Sequence, residues 1–290
     1  MIIIVFLEIV SDYNYFLILF YLFLLGFIDC QIIPDIGYNL GRYLGNTLFS
    51  SGIILKENPN YYDEFNDNIE LKQISIQVIY KDPFGNELLS RLQNGESTWD
   101  KVLNEKVKYY GSNIELTKRR DELLYQMENN REALLHGDLH TGSIMVKENN
   151  AKIIDAEFVF VGPIAFDIGV LIANFIVSTI IHWDSNLKYS KWILNEISEL
   201  WNSINSIKKK KKIELDLNTC LRDILGQAGI EIFRRILGIA HLEDFVSLSQ
   251  DLKNAKELKS LEIASEFILL PDKDYSINII FDIINSILPK

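Results

Sequence analysis

Cysteine is nearly absent from this chain, with only Cys30 and Cys220 present. That excludes a disulfide framework and makes a reducing compartment the default expectation. Histidine is scarce too, with 4 in 290 residues. His136 and His140 flank Asp138 in a H-x-D-x-H array, but His182 and His241 sit in apolar, helix-like segments. A histidine-based metallohydrolase centre would therefore be short of ligands. Basic residues are outnumbered, 29 Lys and Arg against 40 Asp and Glu, for a net charge of −11. That balance argues against a nucleic-acid partner. The one basic run, residues 208–212, reads as a solvated loop rather than a recognition patch. The sequence contains no internal repeat and no G-x-G-x-x-G phosphate loop. What remains, 48% hydrophobic, is enough to bury a sizeable core in one large or two smaller domains.

Chemistry concentrates in residues 134–167, LLHGDLHTGSIMVKENNAKIIDAEFVFVGPIAFD. Residues 144–146 and 153–154 are short β-prone runs, and Asn149-Asn150 between them suits a turn that needs positive φ. Antiparallel pairing of the two runs brings the loop carrying Asp138 near the strand end carrying Asp155. On an extended chain, Asp155 and Glu157 would point the same way and form a two-carboxylate ledge. Mg²⁺ suits such a ledge, because it takes hard oxygen ligands from one or two carboxylates plus the phosphates of a nucleotide. Asp138 is then left to orient a hydroxyl and accept its proton as a phosphoryl group transfers. The stretch reads as a phosphotransfer centre.

HGDLHTGSI, DAEF and GPIAFDIG, followed by an apolar helix, resemble the 5-methylthioribose kinase family of methionine salvage. That family lies in the protein-kinase-like superfamily with the choline and aminoglycoside phosphotransferases. The resemblance implies ATP-dependent phosphorylation of the 1-hydroxyl of 5-methylthioribose. It makes Asp138 the catalytic base, with Asp155 and Glu157 holding Mg²⁺ as the D-x-E that replaces the kinase D-F-G. Ser143 favours this family, since choline and aminoglycoside kinases usually place a metal-binding Asn there. Ala156 stands where the family usually has proline, which changes loop stiffness but removes no ligand. Downstream, GIEIFRRILGIAHLEDF at 229–245 is similar to the family segment whose adjacent arginines face substrate and phosphate, here Arg234 and Arg235. Two adjacent guanidiniums do not share one helix face, so at least one leans toward the apolar side and needs an anion. A phosphate would serve, and the other reading is a solvated arginine pair. His140 is expected near the substrate pocket, and the family forms cytosolic homodimers.

The resemblance also implies a fold class: α+β, protein-kinase-like, mainly the helical C-terminal lobe with a small antiparallel hairpin. Residues 32–290 form that lobe, with the catalytic loop at 134–146 and the metal motif at 155–158. FLEIVSDYNY at 6–15 resembles the family's interlobe hinge, making Glu8, Ile9 and Val10 the adenine-holding backbone. Residues 1–31 then read as a hinge remnant plus an anomalous apolar segment, with the N-terminal β lobe largely missing. The apolar run at 15–28 is short for a bilayer span. A signal peptide, a membrane anchor and foreign sequence from a faulty gene model compete for it, the last preferred. Beside the kinase, three alternatives stay open: a catalytically dead fragment of one, a related small-molecule kinase of the choline or aminoglycoside type, and a membrane-attached interaction protein.

Elsewhere, apolar periodicity predicts helices at 35–50, 98–110, 114–129, 187–205, 216–240 and 255–269. Asp82-Pro83-Phe84 reads as a turn before a further helix. Gly37, Gly41 and Gly45 share one face, which suggests close helix contact rather than a nucleotide loop. The segment after Asp167, IGVLIANFIVSTII, is apolar almost all round and is expected to be the buried axis. Asp167 is its expected N-cap, with or without a second role bracing the catalytic loop.

Overall fold

The computed structural model describes residues 21–22, 29–67, 69–147, 150–239, 245 and 248–288. Glu8, Ile9, Val10, His241 and most of the apolar run lie outside those residues. Of the run, Tyr21–Leu22 (β1) pair antiparallel with the strand at Ile144–Lys147, Tyr21 opposite Val146.

The architecture is α+β and mainly helical, with short antiparallel strands, as expected from the sequence. Its helices are α1 (Ile36–Glu57), α2 (Ile69–Ile76), α3 (Gly85–Asn94), α4 (Asn104–Gly111) and α5 (Ile114–Asn129). After the strands come α6 (Ala165–His182), α7 (Leu187–Lys210), α8 (Leu217–Leu237), α9 (Gln250–Ile268) and α10 (Ile279–Ile287). Side-chain caps start three of them: Asn113 accepts from Leu116 N, Asn186 from Tyr189 N and Asp216 from Asn218 N.

Helix α6 is the axis. Every residue from Ala165 to Ile181 is buried, which is why a segment apolar all round is stable here. It is the one described helix long and apolar enough to cross a membrane, and its whole length is covered by protein. Each buried Leu, Ile or Phe removed from water contributes roughly 1.5–3 kcal/mol, so its alternation-free apolar sequence commits it to the centre. Helices α7, α8 and α9 pack around it.

Helix α1 lies along α7, and its glycines are the reason it comes so close. A Cβ on Gly37 or Gly41 would run into the Glu196 or Leu200 carbonyl oxygen, and one on Gly45 would sit 2.9 Å from Ile207 Cβ. Gly37 N also donates to the buried Glu196 carboxylate at 2.9 Å. Gly41→Val is expected to destabilise the fold by about 1–3 kcal/mol through overpacking. The urea midpoint is the measurement, and an unchanged midpoint would refute the contact.

Two strand pairs frame residues 133–162. β2 (Ala133–Leu135) pairs antiparallel with β5 (Phe160–Gly162), Leu134 opposite Val161. Between them, β3 (Ile144–Lys147) pairs with β4 (Asn150–Ile153), Ile144 opposite Ile153. The expected hairpin is therefore present with a tighter turn: its second strand begins three residues earlier than expected, at Asn150, and ends at Ile153. The β2–β5 pairing was not expected, and it closes the mouth of the whole insertion.

Other differences have plain causes. Of the lysine run, Lys208–Lys210 are the last turn of α7, and Lys211 and Lys212 form the turn that follows it. Cations there offset the negative helix end, Lys208 Nζ donates to Leu215 O at 2.6 Å, and Lys211 Nζ donates to Ser50 Oγ at 2.8 Å. The segment predicted at 98–110 begins as a 3₁₀ turn at Lys101–Leu103, because Asp100 caps Val102 N, and continues as α4.

Helix α9 carries a buried titrating group. Burial pushes the Glu257 carboxyl up to about 7, helped by Asp100 and opposed by Lys253, whose Nζ is 3.7 Å away. Folded Glu257 thus keeps a proton that an unfolded glutamate loses near pH 4.3. Its contribution is fully present below that value and is lost as pH rises through about 7. Stability is expected to fall from about pH 5 to about pH 8 in urea midpoints, and Glu257→Gln to flatten the slope. An equal slope in both proteins would refute the assignment.

Candidate active site

The loop leaving β2 turns sharply at Gly137, where φ is +86° and a Cβ would collide with the Phe158 carbonyl oxygen. Glycine is required there on both counts. Asp167, in the first turn of α6, fixes the loop: its carboxylate accepts from His136 N at 2.7 Å and Gly137 N at 3.1 Å. It does not cap the helix, whose N-cap position is Ile164. The helix starts two residues after Pro163, so Asp167 falls inside the first turn with its carboxylate turned to the loop. Of the two expected roles, the structure keeps the brace and drops the cap.

The histidines play structural parts around Asp138. His136 Nε2 lies 2.9 Å from Ile154 O, and Asp138 N–H points at His136 Nδ1 at 3.4 Å. A donor is needed at Nε2 and an acceptor at Nδ1, which assigns the neutral Nε2–H tautomer. His140 repeats the pattern: Gly142 N donates to its Nδ1 at 3.0 Å, and its Nε2 faces Asp138 Oδ2 at 3.5 Å. Further along, Thr141 leans on the buried Asn174, Oγ1 to Oδ1 at 3.2 Å, and Ser143 Oγ donates to Asp138 O at 3.0 Å.

These bonds decide whether Asp138 and Asp155 share a neighbourhood. Ser143, which holds the Asp138 carbonyl, takes the Ile154 N–H on its own carbonyl at 2.9 Å, while His136 holds Ile154 O. The Asp138 loop is thus stitched from both sides to the residue before Asp155. Asp155 itself has left-handed backbone, φ 64° and ψ 46°, and Ala156–Phe158 form a 3₁₀ turn. The chain is not extended there, so the strand-alternation argument for a ledge does not apply. Both carboxylates are exposed at this turn. A left-handed non-glycine residue is the kind of strain that functional turns hold, and aspartate is among the residues that tolerate it best.

From the far end of α8, Arg234 Nη2 reaches Asp138 Oδ1 at 3.4 Å and Arg235 Nη2 lies 3.9 Å from the same oxygen. Their positions follow from Glu231, three and four residues earlier, which binds both: Arg234 Nη2 at 3.1 Å and Arg235 Nε at 2.7 Å. Adjacent arginines do reach one point, because i+3 and i+4 straddle the same face as i. The expectation that they do not share one helix face is corrected, while the expected need for an anion is met, by Glu231 for both and by Asp138 at 3.4 Å and 3.9 Å. Burial alone would lower the Arg234 pKa; Glu231 and Asp138 outweigh it and raise it. For Asp138, burial works against the charge, but the His140 contact, Arg234 and Arg235 win and hold its carboxyl well below the usual carboxylate range.

Glu231 and Asn174 join the site beyond the residues named from sequence. Glu231 had a signal, the E-x-x-R-R spacing on a helix; Asn174 had none. The broad groove lined by Gly85, Arg119, Arg120, Tyr125 and Asp223 shares no residue with this site. Among the described residues, no set of three or more His, Cys, Asp or Glu side chains is arranged to hold a metal ion.

A braced loop carrying an aspartate, an acidic turn beside it and arginines converging from a distant helix are what a phosphotransferase site calls for. Residues 26–186 match the phosphotransferase enzyme family, and the chain belongs to that family. Its relatives include the methylthioribose kinase of Bacillus velezensis, 29% identical over 255 residues, 84% of this chain and 63% of that protein. Methylthioribose kinase 1 of Oryza sativa subsp. japonica is 29% identical over 270 residues, covering 80% of this chain and 60% of the relative. The Escherichia coli methylthioribose kinase is 28% identical over 270 residues, covering 81% and 63%. The chain spans less than two thirds of the length of each of these relatives.

Proposed function

We propose that this protein transfers the γ-phosphoryl group of ATP to the 1-hydroxyl of 5-methylthioribose, giving 5-methylthioribose 1-phosphate. The observation that carries the reading is the approach of Arg234 to within 3.4 Å of Asp138 across 96 residues of sequence. It puts a hydroxyl-orienting carboxylate and two phosphate-complementary guanidiniums at one point. Kinship with methylthioribose kinases supports the choice of sugar.

In this reading Asp138 accepts a hydrogen bond from the sugar hydroxyl and points its oxygen at phosphorus, receiving the proton as the P–O bond forms. Its depressed pKa keeps it ionised as an orienting acceptor and makes it a weak base, which suits a loose transition state in which the proton moves late. Arg234 and Arg235 neutralise charge on the transferred group, and His140, facing Oδ2, fixes the carboxylate plane beside the substrate. Asp155 and Glu157 would hold Mg²⁺: both are hard-oxygen donors exposed on the turn stitched to the Asp138 loop, and the missing ligands would come from nucleotide phosphates and water. When bound, the metal neutralises phosphate charge. The proposed adenine contacts at Glu8, Ile9 and Val10 are outside the described residues. The same family reading makes the protein a cytosolic homodimer, which sedimentation and fractionation test.

The test of the reaction is release of ADP by the purified protein with methylthioribose, ATP and Mg²⁺. Turnover that is abolished by EDTA and specific for methylthioribose over choline and aminoglycosides supports it. Preference for another alcohol would keep the phosphotransferase and reject the substrate.

A further inference from the structure

The arginines beside Asp138 are held by a carboxylate on their own helix. Glu231 is buried at 1% exposure. Its Oε1 takes both hydrogen bonds described above, and its Oε2 sits 2.9 Å from Arg234 Nε, off the line of a hydrogen bond. Behind it, Tyr80 OH donates to Gln227 Oε1 at 2.7 Å, an uncharged pair. The cluster therefore holds two guanidiniums against two carboxylates, Glu231 and Asp138, and its charges cancel. Two donors of the arginine pair are buried without a hydrogen-bond partner: Arg234 Nε, which faces Glu231 Oε2, and Arg235 Nη2, 3.9 Å from Asp138 Oδ1.

A phosphoryl group arriving at Asp138 thus meets arginines whose charge is already matched, with the unpartnered Arg235 Nη2 3.9 Å from Asp138 Oδ1. Buried like charges and their counter-charges set anion affinity, because a desolvated guanidinium binds an oxyanion in proportion to the positive charge left unmatched. We propose that Glu231 is a positioning residue with two effects: it holds Arg234 and Arg235 as one unit beside Asp138, and it loosens their grip on phosphate so that the phosphorylated product leaves. This rests on reading the site as a phosphoryl-transfer centre.

Inorganic phosphate is the probe, titrated by calorimetry into the full chain and into Glu231→Gln, which keeps shape and removes charge. Phosphate is expected to bind about tenfold tighter to the variant, equivalent to about 1.4 kcal/mol, and to inhibit it correspondingly better while kcat falls. A purely structural Glu231 would lower the melting temperature and leave phosphate affinity unchanged, which overturns the proposal. Glu231→Asp covers the case in which the glutamine variant does not fold. It keeps the charge but retracts it by one methylene, so phosphate affinity is expected to stay within about twofold and kcat to drop. Tighter phosphate binding by the aspartate variant, or an unchanged kcat, would overturn the proposal. The two readings separate cleanly: absence of turnover in the wild type rejects the kinase, whereas the phosphate titration judges Glu231 without any turnover.

Discussion

Asp138→Asn is expected to cut kcat about 10³-fold, mid-range for losing a positioned proton acceptor, while KM for ATP and the far-UV spectrum stay near wild type. The side chain keeps its shape, so the loop geometry set by Asp167, Ser143 and His136 survives. What is lost is the acceptor. An asparagine presents either an amide N–H₂ or a neutral oxygen to the sugar hydroxyl, and its N–H₂ would face Arg234 or His140 as donor against donor. The pH dependence gives an independent check. Asp138 is held ionised well below the usual carboxylate range, so no acid limb in kcat between about pH 5 and pH 8 belongs to it. Its depressed folded pKa contributes stability that is present above about pH 3.9 and lost as pH falls through the folded value. Asp138→Asn is therefore expected to flatten the acid-unfolding curve below about pH 4. Full turnover in the asparagine variant would remove Asp138 from the reaction, whatever the fold of its loop.

Local periodicity made much of this fold legible. Residues 114–129 form α5 with the expected bounds, because an Asn cap and a regular apolar face agree there. The glycine face of α1 was readable since three small residues one turn apart have little other use. The β2–β5 pairing was not readable. Strands of 3 residues, continuously apolar and buried, carry no alternation to separate them from a buried helix turn. Asp167 was misplaced as a cap for a related reason: Pro163 is the stronger signal of where that helix begins. The site divides the same way. Asp138 and Asp155 could be brought together from the hairpin alone, but Glu231 needed tertiary knowledge. Its E-x-x-R-R spacing reads equally well as a surface ion pair until its burial at 1% is known.

Asp167→Ala is expected to cost roughly 3–5 kcal/mol of stability and most of the activity together, which separates it from Asp138→Asn. Asp167 is 2% exposed and is the acceptor for two buried backbone donors, His136 N and Gly137 N. Alanine would orphan both, at about 1–3 kcal/mol each, and would leave a small cavity beneath the loop. For a chain of this size each kcal/mol lowers Tm by roughly 2–4 °C, so a drop on the order of 10 °C is expected. Gly137 is held at φ +86° against the Phe158 carbonyl by these bonds. With them gone the turn relaxes, and Asp138, the next residue, moves relative to Arg234. Displacement of about 1 Å costs on the order of 10²-fold in rate. Asp167→Asn sorts the contributions, since its single amide oxygen satisfies one donor and its N–H₂ opposes the other. It is expected to lose about half the stability that alanine loses, with kcat still depressed. If Asp167→Asn matched wild type in both urea midpoint and kcat, the second hydrogen bond would be idle and Asp167 would be only a buried polar group at a helix start.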